Sequence, residues 1–188
     1  MKILGGQLKG RNFYMPFGIR PTQNLLKKAV FDILGQDITG LSFLDLYAGS
    51  GAMGLEAVSR GASAVVMIER DMKCVSVIEQ NFKLLNTESF HTNHVVINSD
   101  VFVAIKQFAR QEKKFDIIFL DPPFDQELTK KTLKTLMTHD ILHPHCFIIA
   151  QSDKRDTTAE LGGRFQTMTQ RKYGASILTI YTAQGHEL

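Results

Sequence analysis

Phe43-Leu44-Asp45-Leu46-Tyr47-Ala48-Gly49-Ser50-Gly51-Ala52-Met53-Gly54 runs from a short apolar stretch straight into a glycine loop and then into residues that can start a helix. Gly49, Gly51 and Gly54 fit the spacing G-x-G-x-x-G. Glycines at the carboxyl end of a strand allow a tight turn and let a ligand approach the backbone. The helix that follows offers amides with no partner inside it. The spacing alone is a weak signal, so its surroundings decide the reading.

Downstream, short runs rich in Val, Ile and Phe recur at Ala64 to Ile68, Val95 to Ile97, Phe115 to Leu120 and Phe147 to Ala150. Being apolar on both alternating faces, they read as buried parallel strands covered by helices on each side. Between them, Asp71 can cap a helix whose Val75, Ile78, Phe82 and Leu85 share one face. Leu133, Leu136 and Met137 form a similar stripe after Asp125, and Gly61 stands where a helix from about Met53 needs a C-terminal cap. Arg164 to Tyr173 and Ser176 to Thr182 flank Gly174-Ala175 and read as an antiparallel hairpin. The fold class is therefore α/β with a Rossmann-like sheet. Residues 1–40, rich in turns before a short helix near Thr22 to Leu34, look like an extension, and residues 41–188 form the main domain.

The 188 residues suffice for one domain of ordinary size, and 44% apolar with 22% charged residues excludes a disordered chain. No run approaches the roughly 18 to 20 apolar residues of a membrane span, and Met1 to Gly6 lacks a signal peptide's apolar stretch. A cytoplasmic protein without membrane partners is expected. Cys74 and Cys146 sit in apolar surroundings and read as core residues. His91, His94, His139, His143 and His145 lack a companion cluster of carboxylates or thiols, so no metal is expected, and His143-Pro144-His145 reads as a loop. Ser50 has no histidine partner in sight for nucleophilic chemistry.

Charge is unevenly placed within the net +3. Residues 1–35 hold six cations (Lys2, Lys9, Arg11, Arg20, Lys27 and Lys28) against Asp32 alone, interleaved with Phe13, Tyr14 and Phe17, which can pack or stack. Such a field attracts a polyanion, and nucleic acid is the candidate.

Carboxylates close the first three strands. Glu69, 20 residues beyond Gly49, can accept hydrogen bonds from ribose hydroxyls. NAD(H) and S-adenosylmethionine (SAM) both present a ribose there. Asp45 favours SAM, because it would repel a pyrophosphate but suits the cationic methionine portion. Asp100 can accept from an adenine amino group, cap a helix, or both. Tyr47 and Val101 complete the expected cofactor contacts.

The fourth strand ends in Asp121-Pro122-Pro123-Phe124. Two prolines cannot continue a ladder and hold the chain in a stiff turn. The exocyclic amine of a nucleobase is a poor nucleophile, and fixed acceptors on its N–H groups favour a more tetrahedral nitrogen. Asp121 and the Pro122 carbonyl can be those acceptors, and Phe124 offers a face on which an extruded base can stack.

With these residues the chain resembles class I SAM-dependent methyltransferases and, more closely, the RsmD family of 16S ribosomal RNA guanine-N2 methyltransferases. Gly5-Gly6 with Lys9-Gly10-Arg11, Arg20-Pro21-Thr22, Phe31 to Leu34, Asp45 to Glu56 and Asp121 to Phe124 carry the resemblance in order. It implies seven strands ending in an antiparallel hairpin, an RNA-handling extension using Lys9, Arg11, Arg20, Thr22 and Lys27, and methylation of the guanine numbered 966 in the family's name. It also implies 16S rRNA as partner, within small-subunit particles, for a monomeric enzyme. The chain departs from the family pattern at Asn24, Leu25 and Lys27-Lys28, and Gln151 stands where a glutamate is common. Rival readings are an adenine-N6 or glutamine-N5 methyltransferase, a nicotinamide-dependent oxidoreductase and a non-catalytic RNA-binding module.

Overall fold

A computed structural model describes residues 1–18, 24–87, 90, 92–123, 126–153 and 165–183. Helices and strands alternate: α1 (Asn24–Leu34), β1 (Ser42–Asp45), α2 (Ala52–Ser59), β2 (Ala64–Glu69), α3 (Met72–Leu85), β3 (Asn93–Asn98), α4 (Val101–Arg110), β4 (Phe115–Leu120), α5 (Gln126–Thr138), β5 (Leu142–Asp153), β6 (Phe165–Tyr173) and β7 (Ser176–Ala183). The seven strands form one sheet in the order β3-β2-β1-β4-β5-β7-β6, with β1 to β5 parallel and β7 antiparallel to both neighbours.

Strand alternation splits the core. Phe43, Val65, Met67, Ile117, Phe119 and Ile149 face the layer formed by the N-terminal segment, α1, α2 and α3. Leu44, Val66, Ile68, Ile118, Leu120 and Ile148 face α4 and α5. Phe31 of α1 stacks near Phe43 of β1, ring centroids 6.3 Å apart. An aromatic pair of this kind adds about 0.5–1.5 kcal/mol to its burial. Asp71 caps α3 by accepting from the Lys73 N–H, and Val75, Ile78, Phe82 and Leu85 form its buried face, as the spacing predicts. Gly61, with φ +87°, follows the end of α2. Cys74 and Cys146 are buried, and neither forms a disulfide among the described residues.

Two sequence expectations change. β3 is not covered on both sides: it lies at the sheet edge, and Val95 is 41% exposed. An edge strand has a neighbour on one flank only, which explains the polar Asn93, His94 and Asn98 among its valines. His143-Pro144-His145 is not a loop but part of β5, where the pairing jumps from Phe115↔Leu142 to Ile117↔Phe147. Pro144 donates no N–H and is accommodated at that irregularity, with all three residues exposed.

The N-terminal residues are not loosely attached. Ile3, Leu8 and Phe13 belong to the same buried cluster as α1, α2 and α3. A small hairpin turns through Gly10, with Ile3 N–H donating to the Arg11 carbonyl at 3.0 Å and Gly10 N–H to the Ile3 carbonyl at 2.9 Å. No helix among the described residues is long and apolar enough to cross a membrane.

Candidate active site

In a parallel sheet, strands that run together end together, so the carboxyl ends of β1 to β4 share one edge. Asp45 pairs in register with Met67 and with Phe119, and Glu69 with Asn98. The strand order reverses between β1 and β4, the position at which α/β sheets open a crevice. The glycine loop is pinned on both sides of that point. Leu46 N–H donates to the Phe119 carbonyl and Ala48 N–H to the Ile68 carbonyl, each at 3.0 Å.

The loop needs its glycines. Gly51 has φ +75°, and a Cβ there would lie 2.9 Å from Ile78 Cγ1 of α3. At Gly54 a Cβ would collide with the buried Met67 side chain, so a larger residue there would have to displace that methionine. Glu69 shapes the loop from below: Oε2 accepts from the Gly49 N–H and Oε1 from the Asp71 N–H, both at 2.8 Å. Its carboxylate thus touches both the glycine loop and the start of α3.

Asp45 lies beneath the loop, 1% exposed, and its Oδ1 has no hydrogen-bond partner. Burial pushes its carboxyl up to about 8. The backbone N–H groups of Tyr47 and Gly54 oppose the rise, and the charges of Asp121 and Glu69 add to it. An uncompensated buried carboxyl with a free acceptor is costly unless a cationic or hydrogen-donating group meets it. The residues therefore fit a ligand that places a cation at Asp45 and a diol at Glu69, as SAM does.

Asp100 caps α4, with Oδ1 accepting from the N–H groups of Phe102 (2.9 Å) and Val103 (3.3 Å), and it remains exposed. Val101 is buried beneath it. The Tyr47 hydroxyl pairs with Thr132 Oγ1 of α5 at 2.6 Å, and burial raises its phenol above the usual value. Asp121 and Pro122 leave β4 on the same edge, Asp121 half-buried and Pro122 buried. Phe124, Arg20 and Thr22 lie outside the described residues.

In the N-terminal segment, Lys9 and Arg11 are exposed on the hairpin. Phe13 packs into the core, whereas Tyr14 is 56% exposed and Phe17 fully so. Lys27 is a correction. It is not at the surface but fully buried, its Nζ donating to Glu56 Oε2 at 3.1 Å and to the Lys2 carbonyl at 2.9 Å, so no external phosphate can reach it. Desolvation lowers its pKa, and Glu56 opposes the fall. Its place in the sequence carried the signal, three and four residues before the buried Val30 and Phe31.

Glu56 is the residue that sequence reasoning missed. Its two oxygens accept from the backbone N–H groups of Leu4 and Gly5, from Lys27, and from Arg60 at 2.8 Å. The helix that opens from the cofactor loop is thereby bolted to the N-terminal hairpin and to α1. A lone acid in the apolar run Ala52-Met53-Gly54-Leu55-Glu56-Ala57-Val58 was the available clue. A second anchor is Asn81 of α3. Its side chain accepts from the Tyr14 N–H at 2.7 Å and donates to the Tyr14 carbonyl at 3.0 Å.

His94 is engaged by Thr87 and the Thr92 carbonyl, and no metal-binding group of His, Cys, Asp and Glu occurs among the described residues.

A family model described as "Conserved hypothetical protein 95" matches residues 1–182. The Bacillus subtilis protein YlbH, described as a candidate rRNA methyltransferase, is 32% identical over 98% of this chain and all of its own length. Ribosomal RNA small subunit methyltransferase D of Escherichia coli is 33% identical over 81% of this chain and 75% of its own. The solved structure of Escherichia coli yhhF superimposes with a TM-score of 0.86 at 27% identity, over 99% of both chains. The edge geometry, the matched family model and these relatives agree: the chain belongs to the RsmD family of SAM-dependent rRNA methyltransferases.

Proposed function

We propose that this protein methylates the exocyclic N2 of a guanine in 16S rRNA, the position numbered 966 in the family's name, in a partly assembled small-subunit particle. The observation that carries the reading is the placement of the Asp121-Pro122 corner on the same sheet edge as the Asp45 pocket, near enough for the Asp121 charge to act on Asp45. Asp45, Tyr47, Gly49, Gly51, Glu69, Asp100 and Val101 hold SAM. When bound, SAM supplies an electrophilic methyl group on a sulfonium.

The chain's own residues do the rest. Asp121 and the Pro122 carbonyl accept from the guanine amino group, orient it, and favour the nitrogen geometry with an available lone pair. Asp121 also stabilises the positive charge that develops on that nitrogen and can receive its proton as transfer completes. The rigidity of Pro122-Pro123 keeps the acceptors in place beforehand. Phe124 stacks the base, while Lys9, Arg11, Arg20 and Thr22 of the 1–40 extension hold RNA. The enzyme acts as a monomer in the cytoplasm.

Incubation with labelled SAM and undermethylated 30S particles, naked 16S rRNA, DNA or protein tests the proposal. Label on a guanine N2 of the RNA is expected. Label on adenine, or on a protein glutamine, refutes it. Asp121→Ala should lose about 10²- to 10³-fold in kcat with SAM affinity retained, in line with removal of one preorganised transition-state contact.

A further inference from the structure

Helices α4 and α5 both begin at the catalytic edge and lie side by side on the sheet face opposite the N-terminal hairpin. Their buried positions, Val101, Ala104, Ile105 and Phe108 on one and Leu133 and Leu136 on the other, leave matching outward stripes. On α4 that stripe is Val103, Lys106 and Arg110; on α5, Lys131 and Lys134 stand outward with Lys130 beside them. All five cations are exposed, and the sequences of the two helices contain one acid, Glu127.

None of the five has an ion-pair partner among the described residues, whereas the exposed Lys28 and Lys114 are paired with Asp32 and Asp140. Near the catalytic edge the Lys131 ammonium stands 4.4 Å from the Phe102 ring centroid, beside Val103, which is 57% exposed. Five exposed cations spread over two neighbouring ridges match a polyanion that runs along the surface. Among the described side chains of α4 and α5 no acid stands on the outward ridges, and the starts of both helices meet the corner where the target base must arrive.

We infer that the outward face of α4 and α5 is a second contact for the RNA backbone. It grips phosphates on the sheet face opposite to the one that carries the hairpin of Lys9 and Arg11. The inference rests on the rRNA reading above and adds a surface to it.

Two paired variants test it, Lys106→Gln with Arg110→Gln on α4 and Lys130→Gln with Lys134→Gln on α5. They are compared with wild type on naked 16S rRNA and on undermethylated 30S particles. For each pair the slope of log K against log salt should become shallower by about 1.4–1.8, from about 0.7–0.9 per lost phosphate contact. KM for RNA should rise at least tenfold, while kcat and the Kd for SAM stay within twofold. Replacing the same lysines by arginine should preserve binding. Unchanged KM and salt slope in both variants would overturn the inference. So would a defect confined to the particles, which would assign the face to a ribosomal protein. Should wild type transfer no methyl group to any RNA while these variants still weaken RNA binding, the rRNA-methylation reading fails and the surface stands.

Discussion

Replacing Asp45 by asparagine should make the ligand-free protein more stable and weaken SAM binding, because in the proposed site the same buried carboxyl governs both. Its ordinary value of 3.8 rises to about 8 in the fold. Between those values the folded protein holds a proton that the unfolded chain has released. The associated stability is therefore complete below about pH 4 and is lost as pH rises through 8, at up to about 1.4 kcal/mol per pH unit. By pH 7 the accumulated loss is at most about 4 kcal/mol. An amide at this position carries no such proton, so the Tm of the Asp45→Asn variant should be higher near pH 8 and flatter with pH. A gain of 1 kcal/mol moves Tm by about 2–4 °C in a chain of this size.

SAM binding should move the other way. If a cationic ligand meets the ionised carboxylate, binding below pH 8 expels the proton, and affinity should rise nearly tenfold per unit between about pH 5.5 and 7.5. The rise turns over near pH 8, where an α-amino group itself deprotonates. Loss of a charged hydrogen bond of about 1.5–3 kcal/mol predicts roughly 10- to 150-fold weaker binding by Asp45→Asn, with little pH dependence. Calorimetric titration with SAM across this range, alongside thermal melts, measures both effects. Wild-type affinity independent of pH, or an Asp45→Asn variant that binds SAM within twofold of wild type, would refute the reasoning.

Other substitutions probe the frame around the site. Glu56→Ala leaves Lys27 and Arg60 buried without their carboxylate and strips the acceptor from Leu4 and Gly5. A loss of about 3–5 kcal/mol is expected, read as a Tm fall on the order of 10 °C, with earlier proteolysis of the N-terminal hairpin. Gly51→Ala introduces a Cβ at positive φ against Ile78, costing about 1–2 kcal/mol of backbone strain before any clash is counted. It should weaken SAM binding more than it lowers Tm, and a variant binding SAM normally would count against the loop's role.

The sequence by itself determined the alternation of strands and helices, because buried parallel strands and amphipathic helices leave different periodicities in the chain. The cap at Asp71, the turn at Gly174-Ala175 and the glycine loop after β1 were legible for the same reason: each is a local requirement met by nearby residues. Whatever depended on partners distant in sequence was not. That β3 is an edge strand follows from which neighbour it lacks, and that Pro144 fits inside β5 follows from an irregularity in pairing with β4. Lys27 counted as one more cation in a basic stretch until the fold placed it against Glu56, 29 residues away, where burial lowers its pKa and the Glu56 carboxylate opposes the fall. The same holds for the two faces of the molecule: residues 1–35 announce their charge in sequence, whereas the cations of α4 and α5, separated by β4, form one surface only when the sheet brings the helices together. Periodicity records what each element must bury, but only the assembled sheet decides what it is buried against.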